Sequence, residues 1–420
     1  EYVLKNSEPN YIASALAVTD PLYAQQWYVP DTKFDLAWGK LKNRSPVKVA
    51  VVDSGIERSH PDFVGKIGTG HDFVNNDEDP ADDHGHGTFV SGIIAAAGNT
   101  IGIKGLYEYA QILPVKVIDQ YGIGTYDDVA RGIIFAADQG ARVINLSIGG
   151  YAFSYLLQDA IDYALEKGCI LVAAGGNDGI EQKVYPSAYP DVIGVSALDN
   201  TRKIWGLSNS GSHIDICAPG VDVVSTGMHG GYIYASGTST STPMVSALAA
   251  MLCSEKPDLS CSYVKRLINQ TSMDFGEQGY DKIYGSGEIN AINAIGNDVQ
   301  PFHDVAVESI NIEPTVLKEK NPTYISVCLK NNGSFSLEKV VLRIYVNDAL
   351  IDKTQEFQIE DRLTVVVPWG IAPSDDKNLF IKVVVQGKDD ADESNNAKTK
   401  ALRCEKEDGG LYTLHHIDPG

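Results

Sequence analysis

Between residues 46 and 291, short runs of apolar residues alternate with longer stretches of helical periodicity, and few architectures satisfy that arrangement. Residues 47–52, Val-Lys-Val-Ala-Val-Val, leave only one polar side chain. A strand apolar on both faces needs cover on both faces, which is the situation of a parallel sheet between helical layers. Residues 112–118, 142–146, 169–174 and 192–197 have the same texture. Between them, Thr125 is placed to cap a helix with Asp127 and Asp128 in its first turn and Gly140 beyond its end. A second helix is expected over residues 155–167, stopping at Gly168. This alternation predicts an α/β fold, a parallel sheet flanked by helices, with ligands bound at the carboxyl ends of the strands.

After Asn297 the helical period disappears. Residues 305–310, 324–329, 340–346, 363–367 and 379–385 alternate apolar and polar side chains, separated by turns such as Asn331-Asn332-Gly333, Asn347-Asp348 and Pro373-Ser374-Asp375. The pattern predicts a smaller all-β, immunoglobulin-like antiparallel sandwich of roughly seven strands. The 420 residues exceed the usual size of one domain. They divide into an N-terminal extension (1–19), the α/β domain (20–297), the sandwich (302–402) and a polar tail (403–420).

The formal net charge of −21 argues against nucleic acid or an anionic membrane as a partner. It also supplies clustered carboxylates for hard cations. No apolar run is long enough to span a bilayer as a helix. The chain begins at Glu1, which suggests a processed form. Six cysteines leave two alternatives open: a Cys253–Cys261 bridge, or thiols throughout.

Three motifs carry the chemistry. Val-Ala-Val-Val-Asp-Ser-Gly at 49–55 sets Asp53 where a buried strand ends. His-Gly-His-Gly-Thr-Phe-Val at 84–90 leads into a helix of small residues, and Gly-Thr-Ser-Thr-Ser-Thr-Pro-Met-Val at 237–245 leads into another. A seryl hydroxyl needs a positioned base, a histidine provides one near neutral pH, and a carboxylate fixes the histidine's tautomer. Each residue alone has a commoner role as a cap, a surface group or a loop hydroxyl. Together, in these motifs and in the order Asp–His–Ser, residues 20–294 resemble the subtilisin-like serine proteases, most closely their thermitase-like branch.

The resemblance implies a secreted, extracellular, monomeric serine endopeptidase of broad specificity that acts on extended polypeptide through an acyl-enzyme. It makes Asp53 the orienting carboxylate, His86 the general base and Ser239 the nucleophile, and leaves His84 a solvated loop residue. Leu-Val-Ala-Ala-Gly-Gly-Asn-Asp-Gly at 171–179 resembles the family's oxyanion segment, so Asn177 is the expected side-chain donor. Residues 121–125, with Gly122 and Gly124, and residues 146–150, with Ser147, Ile148 and Gly149, match the segments flanking a substrate strand. Gly176 belongs to the same expected binding surface. Val184 stands where subtilisin usually has glycine at the base of the first pocket, which implies a shallower or narrower pocket.

Calcium is the implied cofactor, in two clusters. Asp72, Asn75, Asp77 and Asp79 match a thermitase-type calcium loop, and Asp20, Asp62 and Asn99 match side-chain ligands of the family's tight site. Residues 1–11 resemble the last strand of the inhibitory prodomain, which would make the enzyme a zymogen product and its own prodomain a partner. Residues 302–402 resemble a cell-adhesion-related bacterial (CARDB-like) domain, a resemblance that specifies a sandwich and no ligand. Two rivals stand beside this reading. An acid-acting serine-carboxyl peptidase would carry a glutamate at His86, and an inactive adhesion scaffold would have no use for an intact triad.

Overall fold

The structure, a computed structural model, describes residues 20–297 and 303–416 apart from 319–322, 335–336, 360–361, 370–376, 388–389, 391–392 and 408–410. The expected prodomain-like segment 1–11 and the turn at 373–375 lie outside the described residues.

The α/β region is built on a seven-stranded parallel sheet: β1 Val47–Asp53, β2 His71–Asp72, β3 Ala110–Lys116, β4 Val143–Leu146, β5 Ile170–Ala174, β6 Ile193–Leu198 and β7 Ile216–Pro219. The spatial order is β2-β3-β1-β4-β5-β6-β7. Both faces are covered, and β1 shows why its sequence is so largely apolar. Val49 and Val51 enter the core shared with α1 (His86–Ala95) and α4 (Thr238–Glu255). Ala50 and Val52 enter the opposite core, under α2 (Tyr126–Asp138) and α3 (Tyr155–Glu166). Each such side chain contributes about 1.5–3 kcal/mol by leaving water. The side-chain oxygen of Thr125 accepts from the Asp128 amide at 3.1 Å, the expected cap of α2.

The order of strands reverses at β1: the chain goes first to β2 and β3 on one side and later to β4 on the other. A crevice opens at such a switch point beyond the strands' carboxyl ends. Asp53 is the last residue of β1 and therefore stands at its floor.

The second region is the expected antiparallel sandwich. One sheet has three strands, β10 Val305–Glu313, β12 Thr323–Asn331 and β15 Arg362–Trp369. The other has six: β11 Val316–Lys318, β13 Leu337–Val346, β14 Ala349–Ile359, β16 Lys377–Gln386, β17 Ala397–Glu407 and β18 Leu411–His416. The expected boundary at 402 falls inside a strand. Residues 403–407 and 411–416, expected in a polar tail, belong to the sandwich instead: Cys404 and Leu414 lie in its core and β18 pairs with both β17 and β11.

The two regions meet along a charged seam. Arg362, only 6% exposed, bonds Asp162 at 2.8 Å and Asp191 at 2.5 Å, and also pairs with Glu308. Lys330 adds a second bond to Asp191 at 2.6 Å. All six cysteines are thiols, so the Cys253–Cys261 alternative is not realised. The Arg142 guanidinium instead lies against Cys261 Sγ at 3.3 Å. Among the described residues, no helix is long and apolar enough to cross a membrane.

Candidate active site

Asp53 is completely buried and fixed by a strand paired on both sides. Its Oδ1 accepts from the Ser54 amide at 2.7 Å and lies 2.8 Å from His86 Nδ1. His86 opens α1, and that helix can approach β1 only because Gly87 lacks a side chain: a Cβ there would stand 2.2 Å from the Gly55 carbonyl oxygen. Asp82 locks the junction from beneath. Its Oδ2 accepts from the Thr88 amide and hydroxyl at 2.9 and 2.6 Å, and its Oδ1 from Ser54 Oγ and Gly85 N, each at 2.8 Å. Burial alone would raise the Asp82 pKa, but these donors hold it below the usual value.

His86 experiences opposing influences. Burial disfavours its cation, while the Asp53 charge, the hydrogen bond to Asp53 and the charge of Asp82 favour it, and the net pKa is raised. The imidazole is still 30% exposed, facing the cleft.

Ser239 is the second residue of α4, an 18-residue helix whose N-terminus carries a partial positive charge. Asn177, three residues beyond the end of β5, accepts through Oδ1 from the Thr238 amide at 2.8 Å and hydroxyl at 2.9 Å. Those bonds orient its amide nitrogen. Both groups converge beside Gly237: a Cβ there would lie 3.3 Å from Ser239 Oγ and 3.4 Å from Asn177 Nδ2. Asp53, His86, Ser239 and Asn177 all line one cleft of about 600 Å3. Gly122, Gly124, Ser147, Ile148 and Gly149 line the same cleft, and Gly176 and Val184 line a recess of about 200 Å3 opening beside it.

A model of the subtilase family matches residues 44–287, more than half of the chain. The chain belongs to the subtilase family. It is 40% identical over 302 residues to a thermophilic serine proteinase of Bacillus sp. strain AK1, covering 70% of this chain and 73% of that one. It is 39% identical to thermitase of Thermoactinomyces vulgaris over 66% of this chain and 98% of thermitase. A solved protease of Pseudoalteromonas arctica PAMC 21717 superposes with a TM-score of 0.62 at 28% identity, over 66% of this chain and 98% of that one. The subtilase described here is accordingly a subtilisin-like serine endopeptidase, a hydrolase.

The structure also brings forward residues that sequence reasoning missed. Ser246 on α4 donates to Asn145 Oδ1 at 2.8 Å, Asn145 Nδ2 donates to Ser147 Oγ at 2.9 Å, and Ser147 donates to the Ser239 carbonyl at 3.0 Å. This buried chain ties residues 145–147 to the start of α4. Asn145 lies in the middle of an apolar strand, and that polar interruption was the available signal. His84 is exposed as expected, yet it also lines the cleft, its ring centroid 6.3 Å from that of His86.

The two acidic clusters differ. Asp62 is fully buried; its Oδ2 accepts from Tyr232 at 2.9 Å, while Oδ1 has no hydrogen-bond partner. Asn99 links this neighbourhood together, donating from Nδ2 to the Pro61 carbonyl and from its backbone to Asp20 Oδ1 at 3.1 Å. A buried, unpartnered carboxylate oxygen beside further oxygens fits a calcium ion. In the other cluster, Asp72 Oδ1 accepts from Val74 N and Asn75 N, its Oδ2 from Asn75 Nδ2, and Asp77 Oδ1 from Asp79 N. That loop satisfies both oxygens of its buried carboxylate, Asp72, and leaves Asp77 and Asp79 exposed. Among the described residues, no three His, Cys, Asp or Glu side chains converge on a point, so backbone carbonyls and Asn99 would have to complete any site.

Proposed function

We propose that Asp53, His86 and Ser239 act as a catalytic triad and that Asn177 completes the oxyanion hole. His86 Nε2 takes the Ser239 proton as Oγ attacks the scissile carbonyl, and Asp53 stabilises the imidazolium across the 2.8 Å bond. Asn177 Nδ2 and the Ser239 amide, at the positive end of α4, receive the developing oxyanion. A donor of this type is worth about 2.7–4 kcal/mol in the transition state. His86 then returns the proton to the leaving amine, and water releases the acyl group by the same steps in reverse. The substrate lies extended between the segments carrying Gly122 and Gly124 and Ser147, Ile148 and Gly149, bonded through its backbone, which gives broad sequence tolerance. The observation that carries this reading is the buried Asp53–His86 pair opening into a cleft shared with Ser239 and Asn177.

The same proposal includes one bound calcium at Asp62, Asp20 and Asn99, which would hold those segments together and take no part in the chemistry. The loop of Asp72, Asn75, Asp77 and Asp79 is the weaker candidate, since it has no unpartnered buried oxygen. We further propose a secreted enzyme matured from a zymogen by removal of its prodomain, with the CARDB-like sandwich docking substrates or surfaces.

The pH profile of kcat/KM tests the mechanism. His86 must be neutral to act as base, and its pKa is raised above 6.5, so activity is lost as pH falls through that raised value. The expected acid limb lies above pH 6.5. A maximum near pH 4 would replace the mechanism with that of a carboxyl peptidase.

A further inference from the structure

Resting on the protease reading, we infer that this enzyme cleaves after short apolar residues in preference to aromatic ones, because Val184 raises the floor of the recess that receives the side chain preceding the scissile bond. Two walls form that recess, Ser147 to Tyr151 on one side and Ala174 to Asp178 on the other. The residues facing each other across it are glycines. A Cβ built on Gly149 would lie 2.5 Å from Val184 Cγ1, and one built on Gly176 would lie 2.7 Å from Val184 Cγ2. Each methyl group therefore rests against one wall, and the isopropyl group spans the gap between them. Val184 is 3% exposed.

This floor cannot easily withdraw. The Val184 carbonyl accepts from Ser187 Oγ at 2.7 Å and from the Ala188 amide at 2.8 Å. Tyr185 and Gly150 exchange two backbone hydrogen bonds of 2.8 Å, fastening the Val184 segment to the first wall. The walls are themselves tied together. The Tyr151 hydroxyl donates to Asp178, Asn209 Nδ2 donates to Tyr151 Oη at 3.2 Å, and the Asp178 amide donates to Asn209 Oδ1 at 2.9 Å. A slot closed by a hydrocarbon floor and cross-tied walls cannot widen for a ring without displacing packed groups.

The test is a set of chromogenic peptides identical except for Ala, Leu, Phe or Lys before the scissile bond. Rates are expressed per active site, counted by a serine-reactive fluorophosphonate on the same preparation. The expected kcat/KM for Ala exceeds that for Phe by at least tenfold, the scale of a methylene-sized change in an apolar pocket (about 10–200-fold). Val184→Gly should raise the Phe-to-Ala ratio of kcat/KM at least tenfold, and Val184→Ala should fall between. A wild-type enzyme that cleaves after Phe as fast as after Ala overturns the inference. So does a Phe-to-Ala ratio unchanged in a Val184→Gly enzyme that is fully labelled. Absence of both labelling and cleavage in the wild type overturns the protease reading and the inference with it.

Discussion

The α/β region and the sandwich place their buried polar groups in different ways. In the first, Asp53, Ser54, Asp82, Thr88, Asn145 and Ser147 are buried together near the carboxyl ends of the central strands, joined by hydrogen bonds and opening into the cleft. In the second, the space between the sheets is filled by apolar side chains such as Val307, Ile325, Leu342 and Val383. Its buried arginine, Arg362, is turned toward the neighbouring region. A parallel sheet converges its strand ends at a switch point, so several segments can deliver polar groups to one place. An antiparallel sandwich spreads its alternating positions evenly along two faces. The first arrangement collects chemistry, and the second builds a support whose polar interactions lie at its boundary.

The sharpest way to break this division is Arg362→Ala. Removing one partner of a buried ion pair costs about 3–5 kcal/mol, and the lower end applies here because Asp162 and Glu308 reach water. In calorimetry the sandwich should melt separately and earlier, while kcat/KM on a short peptide stays within twofold of wild type. A parallel loss of activity would make the two regions a single functional unit.

That seam was invisible in the sequence, because Arg362 pairs with residues 171 and 200 positions away and no local pattern announces such a contact. What was legible had local causes. Apolar runs long enough to be covered on two faces marked β1, β3, β4, β5 and β6, and Thr125 marked the start of α2. The triad candidates were legible because each sits in a motif where small residues permit close approach, as at Gly87. β2 and β7 were not foreseen, since two and four residues are too short to show a period. The hairpin formed by β8 Val223–Thr226 and β9 Tyr232–Ala235 was missed for the same reason. Tyr151, Asp178 and Asn209 were overlooked as members of one group, because their meeting depends on how two loops return to the same edge.

Calcium sharpens the comparison with a somewhat smaller effect. An ion held at Asp62, Asp20 and Asn99 would stabilise the α/β region alone, by about 2.7 kcal/mol at a hundred times its Kd. EDTA should lower the melting temperature of that region by roughly 5–10 °C and leave the sandwich transition in place. Asp62→Ala should remove the response to added calcium. If chelation leaves the α/β transition unmoved, the unpartnered Asp62 oxygen has another explanation.

The proposed nucleophile, Ser239 activated by His86 and Asp53, is tested most directly by the single-turnover rate of Ser239→Ala on an unstructured protein substrate, beside its melting temperature. Melting should be unchanged and the rate lower by several orders of magnitude, with only the residual catalysis of the oxyanion hole and substrate binding remaining. A folded Ser239→Ala protein that retains near-wild-type turnover would contradict it.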